Sequence, residues 1–389
     1  MVLCAPFPAP RGTQAYVAEL AEGLIARGHE VHLWCYAGSL GGQPPEGLIL
    51  HRASALPGVP TSVGSGPSPA RPANDALVLA RLMAELPTLG PILLHGHNHE
   101  GGLAAGIAGR ALGLPVLYHV HSALAEELPA WARLGRGLLS SVGGLLDAGV
   151  PLLADRVLTL DAPSADALSQ RLGRPAHPVP PGVSAWSGVP APLPGPGPWV
   201  AYAGNLDPYQ DLPLLLGAIR RTRRLHPRAR LLLVTHDPPG QARLLAARYG
   251  LDPRALFVLS PTGPEDAQRF LAAADMSVVP RTGRGGYPIK LLNSLGAGVP
   301  VVASHPASKG LAEASGVVPT SPTAEGLARG ICRLIESPAQ RAALSAAALS
   351  FARAHPWSQV AAAAEAHYDV LARVAFGQGR ERGLPGIKP

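Results

Sequence analysis

The chain has 389 residues, 47% hydrophobic and 15% charged, a balance that fits soluble globular domains with large cores. Its 33 basic and 26 acidic side chains leave a net charge of +7, compatible with an anionic ligand or an anionic membrane surface. No basic–aromatic motif accompanies that charge, so no nucleic-acid partner is predicted. The three cysteines, Cys4, Cys35 and Cys332, lie far apart and make neither a disulfide framework nor a zinc motif, which points to a reducing, cytoplasmic compartment. The first residues lack the pattern of a secretory leader, and no run approaches the roughly 20 apolar residues of a membrane span.

Along the chain, residues 2–5 form a short apolar strand. Gly12 then opens a turn, and Thr13 is placed to cap the helix whose apolar positions are Val17, Leu20 and Leu24. Gly28 stops that helix, and residues 31–35 are the next strand. Residues 92–94 are another strand, ending at the turn HGHNHEGG. A small-residue helix runs on from Leu103, and strands follow at 115–120, 156–160 and 176–179. The segment from Trp131 to Leu153 alternates Leu, Gly and Arg, a pattern for helices that cover a cleft, touch lipid or pack in the core. Residues 184–198, rich in Pro and Gly, read as a linker. A second alternation then begins, with strands at 200–204, 230–234, 256–259 and 276–279 and a helix around 212–224. The arginine run from Arg220 to Arg230 is a solvated helix end by this reading. Residues 361–374 form a last helix within a 356–379 segment that returns to the first domain, and 380–389 form a tail. Strand–helix alternation in both halves predicts an α/β protein of two doubly wound, parallel-sheet domains, spanning 1–183 and 199–355.

The stretch PRTGRGGYPIKLLNSLGAGVPVVAS, from Pro280 to Ser304, carries the most chemistry. Glycines 283, 285 and 286 let backbone approach a ligand, and the loop feeds a helix N-terminus, where unpaired N–H groups and the helix dipole favour an anion. Pro288 suits the start of that helix. Leu291, Leu292 and Leu295 take its core side, leaving Lys290 and Asn293 on neighbouring positions of the other. Only Lys309 and Lys388 share Lys290's residue type in a chain that otherwise uses arginine.

The order of several segments resembles that of retaining GT-B glycosyltransferases, specifically glycosyltransferase family 4. PAPRGTQAYVAELAEGLIARGHEVHLW is similar to the family's opening glycine turn, helix and strand. ILLHGHNHEGGLAA and LPVLYHVHSAL resemble its next landmarks, ADRVLTL with HPVPPGVS the end of its first domain, and WVAYAGNLDPYQDLPLLLGAI the first strand and helix of its donor domain. GGYPIKLLNSLGAGVPVVAS resembles its nucleotide-sugar motif. The resemblance implies two Rossmann-like domains facing across a cleft, a nucleotide-sugar donor, transfer with retention and no required metal or other cofactor. Two departures stand out. The family commonly has two glutamates in the nucleotide-sugar motif, at places that fall here on Gly285 and Asn293. It also commonly has an arginine and a lysine after the first donor-domain strand, where this chain has Asn205 and Gln210. Arg281, Arg284 or Lys290 would then supply the missing charge.

By this resemblance His121, at the end of its strand, is expected to contact the transferred sugar, with His119 deeper and structural. Gly12 and Thr13 lie beside the sugar phosphate. Asn205, Gln210, Arg281, Arg284, Gly285, Gly286, Tyr287, Lys290 and Asn293 form the donor site. His97 and Asn98 are expected to line the acceptor site. Glu100 is read either as a carboxylate base for the acceptor hydroxyl or as an acidic residue suited to a helix start. His95, His97 and His99, alternating in one loop, do not make a closed metal site by themselves, so no metal is predicted. The predicted function is glycosyl transfer to an unknown acceptor, which could be a small molecule, a glycan or a lipid-linked group, with peripheral membrane contact among the readings. The alternatives are a catalytically altered GT-B protein that binds a ligand or partner, and a phosphorylase or epimerase on the same fold.

Overall fold

The structure is a computed structural model that describes all residues except 65, 132–134, 284, 285 and 377–389, together with the side chains of 375 and 376. The expected donor-loop residues Arg284 and Gly285, and the expected tail, lie outside the described residues. The chain forms two compact units: one of Met1–Ala9, Thr13–Pro181 and the chain from Trp357 on, the other of Pro10–Gly12 and Gly182–Pro356.

The first unit is built on strands β1 (Val2–Leu3), β2 (His32–Cys35), β3 (Ile49–Arg52), β4 (Leu94–His97), β5 (Val116–Val120), β6 (Arg156–Thr159) and β7 (Ala176–Pro178), all parallel, in the order β3-β2-β1-β4-β5-β6-β7. Helices α1 (Gly12–Ile25), α2 (Arg71–Leu89), α3 (Asn98–Leu112), α4 (Leu124–Glu127), α5 (Arg136–Gly149) and α6 (Ala162–Leu172) connect them. The core is formed by Val2, Trp34, Tyr36, Leu82, Leu94 and Tyr118 with their neighbours. The small residues of α3 have a steric reason. A Cβ at Gly101 would lie 2.5 Å from the Val2 carbonyl oxygen, and one at Gly102 would lie 2.5 Å from the Tyr118 ring. The helix therefore presses on the middle of the sheet.

In the second unit, β8 (Trp199–Ala203), β9 (Arg230–Val234), β10 (Leu256–Leu259), β11 (Met276–Val279), β12 (Val301–Ser304) and β13 (Val317–Thr320) form a parallel sheet in the order β10-β9-β8-β11-β12-β13. Helices α7 (Leu212–Leu225), α8 (Pro239–Arg248), α9 (Pro264–Ala272), α10 (Ile289–Gly296), α11 (His305–Ser308), α12 (Ala324–Glu336) and α13 (Pro338–Ala354) complete it. Leu215, Ile219, Leu231, Leu233, Val278 and Ile331 fill one side of the sheet. Leu291, Leu292 and Leu295 of α10 fill the other against Val279, Val301 and Ala303.

Helix α14 (Trp357–Phe376) belongs to the first unit. Trp357 meets Tyr16 edge-on with ring centroids 5.1 Å apart, Tyr368 bonds His95, and Glu365 takes the ion pair with Arg27 and a 2.9 Å bond with His29.

Three local expectations are corrected. The HGH segment is strand rather than turn, because His95–His97 continue β4 in register with Leu117–His119 of β5. The helix after it starts at Asn98, not near Leu103. Thr13 lies inside the first turn of α1 rather than capping it.

Candidate functional site

In both sheets the strand order reverses beside the strand that opens the unit, and ligands of doubly wound sheets bind at the carboxyl ends of strands there. In the second unit the reversal lies between β8 and β11, so the loops after these two strands are its candidate site.

The β8 strand delivers Tyr202, and the chain then passes through Gly204, Asn205 and a short 3-10 turn, Pro208–Gln210. Lys290 enters from the first turn of α10 and is the hub of this candidate site. Its Nζ donates to Gln210 Oε1 at 2.5 Å and to the Tyr202 hydroxyl at 2.7 Å, and lies 4.3 Å from the centre of the Tyr202 ring. The Tyr202 hydroxyl donates in turn to the Asn205 carbonyl at 2.6 Å. Gln210 Nε2 donates to Asn205 Oδ1 at 2.9 Å, and Asn205 Nδ2 to Asp207 Oδ2 at 2.6 Å. Gly204 is required beneath the lysine, since a Cβ there would sit 2.9 Å from Nζ and the residue holds φ +147°. Burial pushes the Lys290 ammonium well below the usual lysine value; Arg281 adds to that and Asp207 opposes it. An ammonium has three N–H donors, and two are taken by Gln210 and Tyr202. A bound anion would favour the ammonium form, whose third N–H has no partner among the described residues.

The loop after β11 supplies the rest. Arg281 is buried, with its guanidinium 5.1 Å from the centre of the Tyr209 ring. The Ser304 hydroxyl donates to the Arg281 carbonyl. Asp211 Oδ2 accepts from the Thr282 backbone N–H at 2.7 Å and from its hydroxyl at 2.6 Å, tying the β11 loop to the start of α7. Gly286 holds φ +63° ahead of half-buried Tyr287. Asn205, Gln210 and Lys290 are thus brought into one network. Asn293 is not. It is exposed and takes no part in that network among the described residues, although sequence spacing put it beside Lys290.

In the first unit the reversal lies between β1 and β4. Gly12 is the exposed first residue of α1. The Thr13 hydroxyl lies 3.4 Å from Asn98 Oδ1, and Asn98 holds φ +59° where strand turns into helix. His121, just past β5, is buried. Its Nε2 is 3.1 Å from His97 Nδ1, and burial pushes the His121 imidazole down to about 3, so it is neutral. The Tyr16 ring packs edge-on against both His119 and His121 with centroids 5.0 Å apart. Thr13, Asn98, His97 and His121 therefore share one end of the sheet. Glu100 is turned elsewhere, in an ion pair with Arg71 of α2 at 3.5 Å.

Sequence reasoning missed Tyr202, which reads as an ordinary core strand residue, and Asp147. Asp147 is buried on α5, accepts from His99 at 2.6 Å, and also accepts from the backbone N–H groups of Leu124 and Ala125. Burial pushes its carboxyl up, but the His99 ring and the two amides outweigh that and hold it below the ordinary aspartate value. The opposite face of α5 carries Leu138 and Leu145, each about 70% exposed, with Val142 and Leu146 beside them. No helix of the described residues is long and apolar enough to cross a membrane.

Two glycosyltransferase family models match the chain in succession. The model of Glycosyltransferase Family 4 matches residues 10–186, and that of Glycosyl transferases group 1 matches residues 197–337. The phosphatidyl-myo-inositol mannosyltransferase of Mycobacterium tuberculosis is 26% identical over 380 residues, 94% of this chain and 95% of its own. That of Mycolicibacterium smegmatis is 25% identical over 373 residues, covering 93% and 91%. Among solved structures, sucrose-phosphate synthase from Thermosynechococcus elongatus superposes with a TM-score of 0.80 at 18% identity, covering 96% of this chain and 98% of that one. An Anabaena protein solved in complex with UDP superposes with a TM-score of 0.67 at 15% identity, covering 95% and 99%.

Proposed function

The chain belongs to the GT-B glycosyltransferases of the family-4 type, and from that premise we propose that it moves a hexose, with retention, from a nucleoside-diphosphate donor to a hydroxyl of a lipid-linked acceptor. The observation that carries the donor half of this reading is the setting of Lys290. The chain lacks the arginine and lysine that its family commonly has at the Asn205 and Gln210 positions. Their amides instead orient a lysine that reaches the same β8 loop from α10. The third ammonium proton, together with the N-terminus of α10, stabilises charge on a diphosphate as it departs.

In the proposed step the bond from the sugar's anomeric carbon to the phosphate oxygen breaks, and the electron pair leaves with the phosphate. A new bond forms from that carbon to the acceptor oxygen, and the acceptor's proton passes to the departing phosphate. His121, neutral and oriented by His97, supplies a hydrogen-bonding ring for the sugar. The residues assigned to these roles need no metal ion for this chemistry.

Support for a lipid acceptor comes from two sides. The mycobacterial relatives, similar over nearly the full chain, are named for phosphatidyl-myo-inositol. In this chain α5 presents Leu138, Val142, Leu145 and Leu146 at spacings of three and four, one apolar helix face suited to the surface of a bilayer. The membrane contact is then peripheral.

The test is a donor screen. The chain is incubated with uridine, guanosine and adenosine diphosphate hexoses, and thermal stabilisation and nucleotide release are followed. One donor is expected to stabilise the protein and to release its nucleotide slowly. Stabilisation by nucleotides without any turnover would replace this reading with a GT-B protein that only binds its ligand.

A further inference from the structure

We infer that His95, His97 and His119 form a binding site for one borderline divalent cation of the zinc type, inside the first unit. The inference stands independently of the glycosyl-transfer reading. The three rings come from two adjacent strands. His95 and His97 alternate on β4, and His97 is the direct cross-strand partner of His119 on β5. Alternation places all three side chains on one face of the sheet. Each offers a ring nitrogen, and these nitrogens lie within 4.8 Å of one another. His95 and His119 stack with ring planes 7° apart and centroids 5.6 Å apart, and His95 and His97 have centroids 4.1 Å apart.

The second observation is the fate of the remaining polar atoms. All three residues are at most 2% exposed. His95 Nε2, His97 Nε2 and both nitrogens of His119 are buried without a hydrogen-bond partner among the described residues. Buried polar atoms almost always have partners, and several unpaired ring nitrogens gathered on one face of the sheet are what a ligand set offers. The outer nitrogens fit the same reading. His95 Nδ1 is 2.8 Å from the Tyr368 hydroxyl, and His97 Nδ1 is 3.1 Å from His121 Nε2. Metal-bound imidazoles commonly donate their other N–H to such partners, which fixes the tautomer that leaves Nε2 bare for the metal. Burial favours the neutral, ligating form in all three rings.

Tetrahedral Zn²⁺ with metal–nitrogen distances of about 2.0–2.1 Å holds its ligand atoms roughly 3.4 Å apart. Binding would require the rings to turn about their side-chain torsions, bringing nitrogens now within 4.8 Å of one another to that spacing. Three protein nitrogens leave the fourth position for water. The bound ion would pin β4 to β5 and, through His97, fix the orientation of His121.

The experiment uses the full chain. It is stripped with a chelator, titrated with Zn²⁺ and with Co²⁺, and followed by metal analysis, visible absorption and thermal unfolding. The inference expects about one ion per chain, the ligand-field bands of tetrahedral Co²⁺, and a midpoint that rises with ion concentration. The His119→Leu variant should lose the bands and the midpoint shift. A second histidine group, His32 and His51 with Glu85, lies apart near β2 and β3, so His51→Gln should leave the metal in place. Loss of metal from His51→Gln but not from His119→Leu would overturn the inference. So would a stripped protein whose midpoint and spectrum ignore both ions, which leaves neutral stacked rings bridged by water. If His119→Leu fails to fold, X-ray absorption on the zinc-loaded wild type decides. About three imidazole nitrogens in the first shell support the site, and a shell dominated by carboxylate or thiolate contradicts it.

Discussion

Lys290 owes its place to its neighbours rather than to its own charge. Gly204 clears the space, Tyr202 offers a hydroxyl and a ring face, and Gln210 accepts its shortest bond. Burial favours the neutral amine, while an anionic ligand favours the ammonium. The direction of the coupling follows. The free-state pKa is depressed and a bound diphosphate raises it, so between those two values ligand binding takes up a proton, and affinity falls as pH rises. Calorimetry of nucleotide binding in buffers of different ionisation heat should show net proton uptake in the wild type and a smaller uptake in Lys290→Met. That variant should bind nucleotide about 10–100-fold more weakly, the cost of one or two charge-assisted hydrogen bonds. Equal affinity in both proteins would take Lys290 out of the site. Gly204→Ala is a second probe. A methyl group 2.9 Å from Nζ, at a φ that favours glycine, should displace the lysine and weaken nucleotide binding in the same direction, readable by the same titration.

At the scale of elements, α5 does two jobs with two faces. Its inner face carries Asp147, which bonds His99 and caps the backbone N–H groups that open α4. Because its folded pKa is lowered, this carboxylate stabilises the fold above the ordinary aspartate pKa, and the contribution is lost as pH falls through the lower folded value. Asp147→Ala, which strands a buried histidine and two amides, should cost about 2–4 kcal/mol in denaturant unfolding near neutral pH. The outer face is apolar. Leu138→Ser with Leu145→Ser should weaken binding to anionic vesicles by about tenfold or more, given roughly 1.5–3 kcal/mol per buried leucine, and should leave stability nearly unchanged because both side chains are already exposed. Element boundaries were legible in sequence where strands are short and mostly apolar, as at Arg230–Val234 and Met276–Val279. They failed at HGH, because a strand of alternating histidine and glycine looks polar when its neighbours are unknown. Only pairing with β5 reveals that those histidines are core residues.

At the scale of the molecule, the two parallel sheets follow from strand–helix alternation, and both were visible in the sequence as a pattern of apolar runs and glycine turns. The candidate sites were less so. The loop after β11 stood out because glycines and one of the chain's three lysines mark it. The residues that hold that lysine did not, because Tyr202 is an apolar strand position by pattern and Gln210 a turn residue. Asn293 shows the reverse error. Helical spacing put it next to Lys290, yet the lysine side chain turns toward β8 and the asparagine stays exposed. The central claim is that these residues serve sugar transfer from a nucleotide donor. Its most direct test is an assay of the full chain with the panel of nucleoside-diphosphate hexoses and vesicles containing phosphatidylinositol, with labelled sugar followed into the lipid fraction. The account predicts that one donor labels the lipid, that its nucleotide is released only when vesicles are present at an appreciable rate, and that Lys290→Met reduces both. No labelled lipid with any donor, and nucleotide release indifferent to the Lys290 substitution, would contradict it.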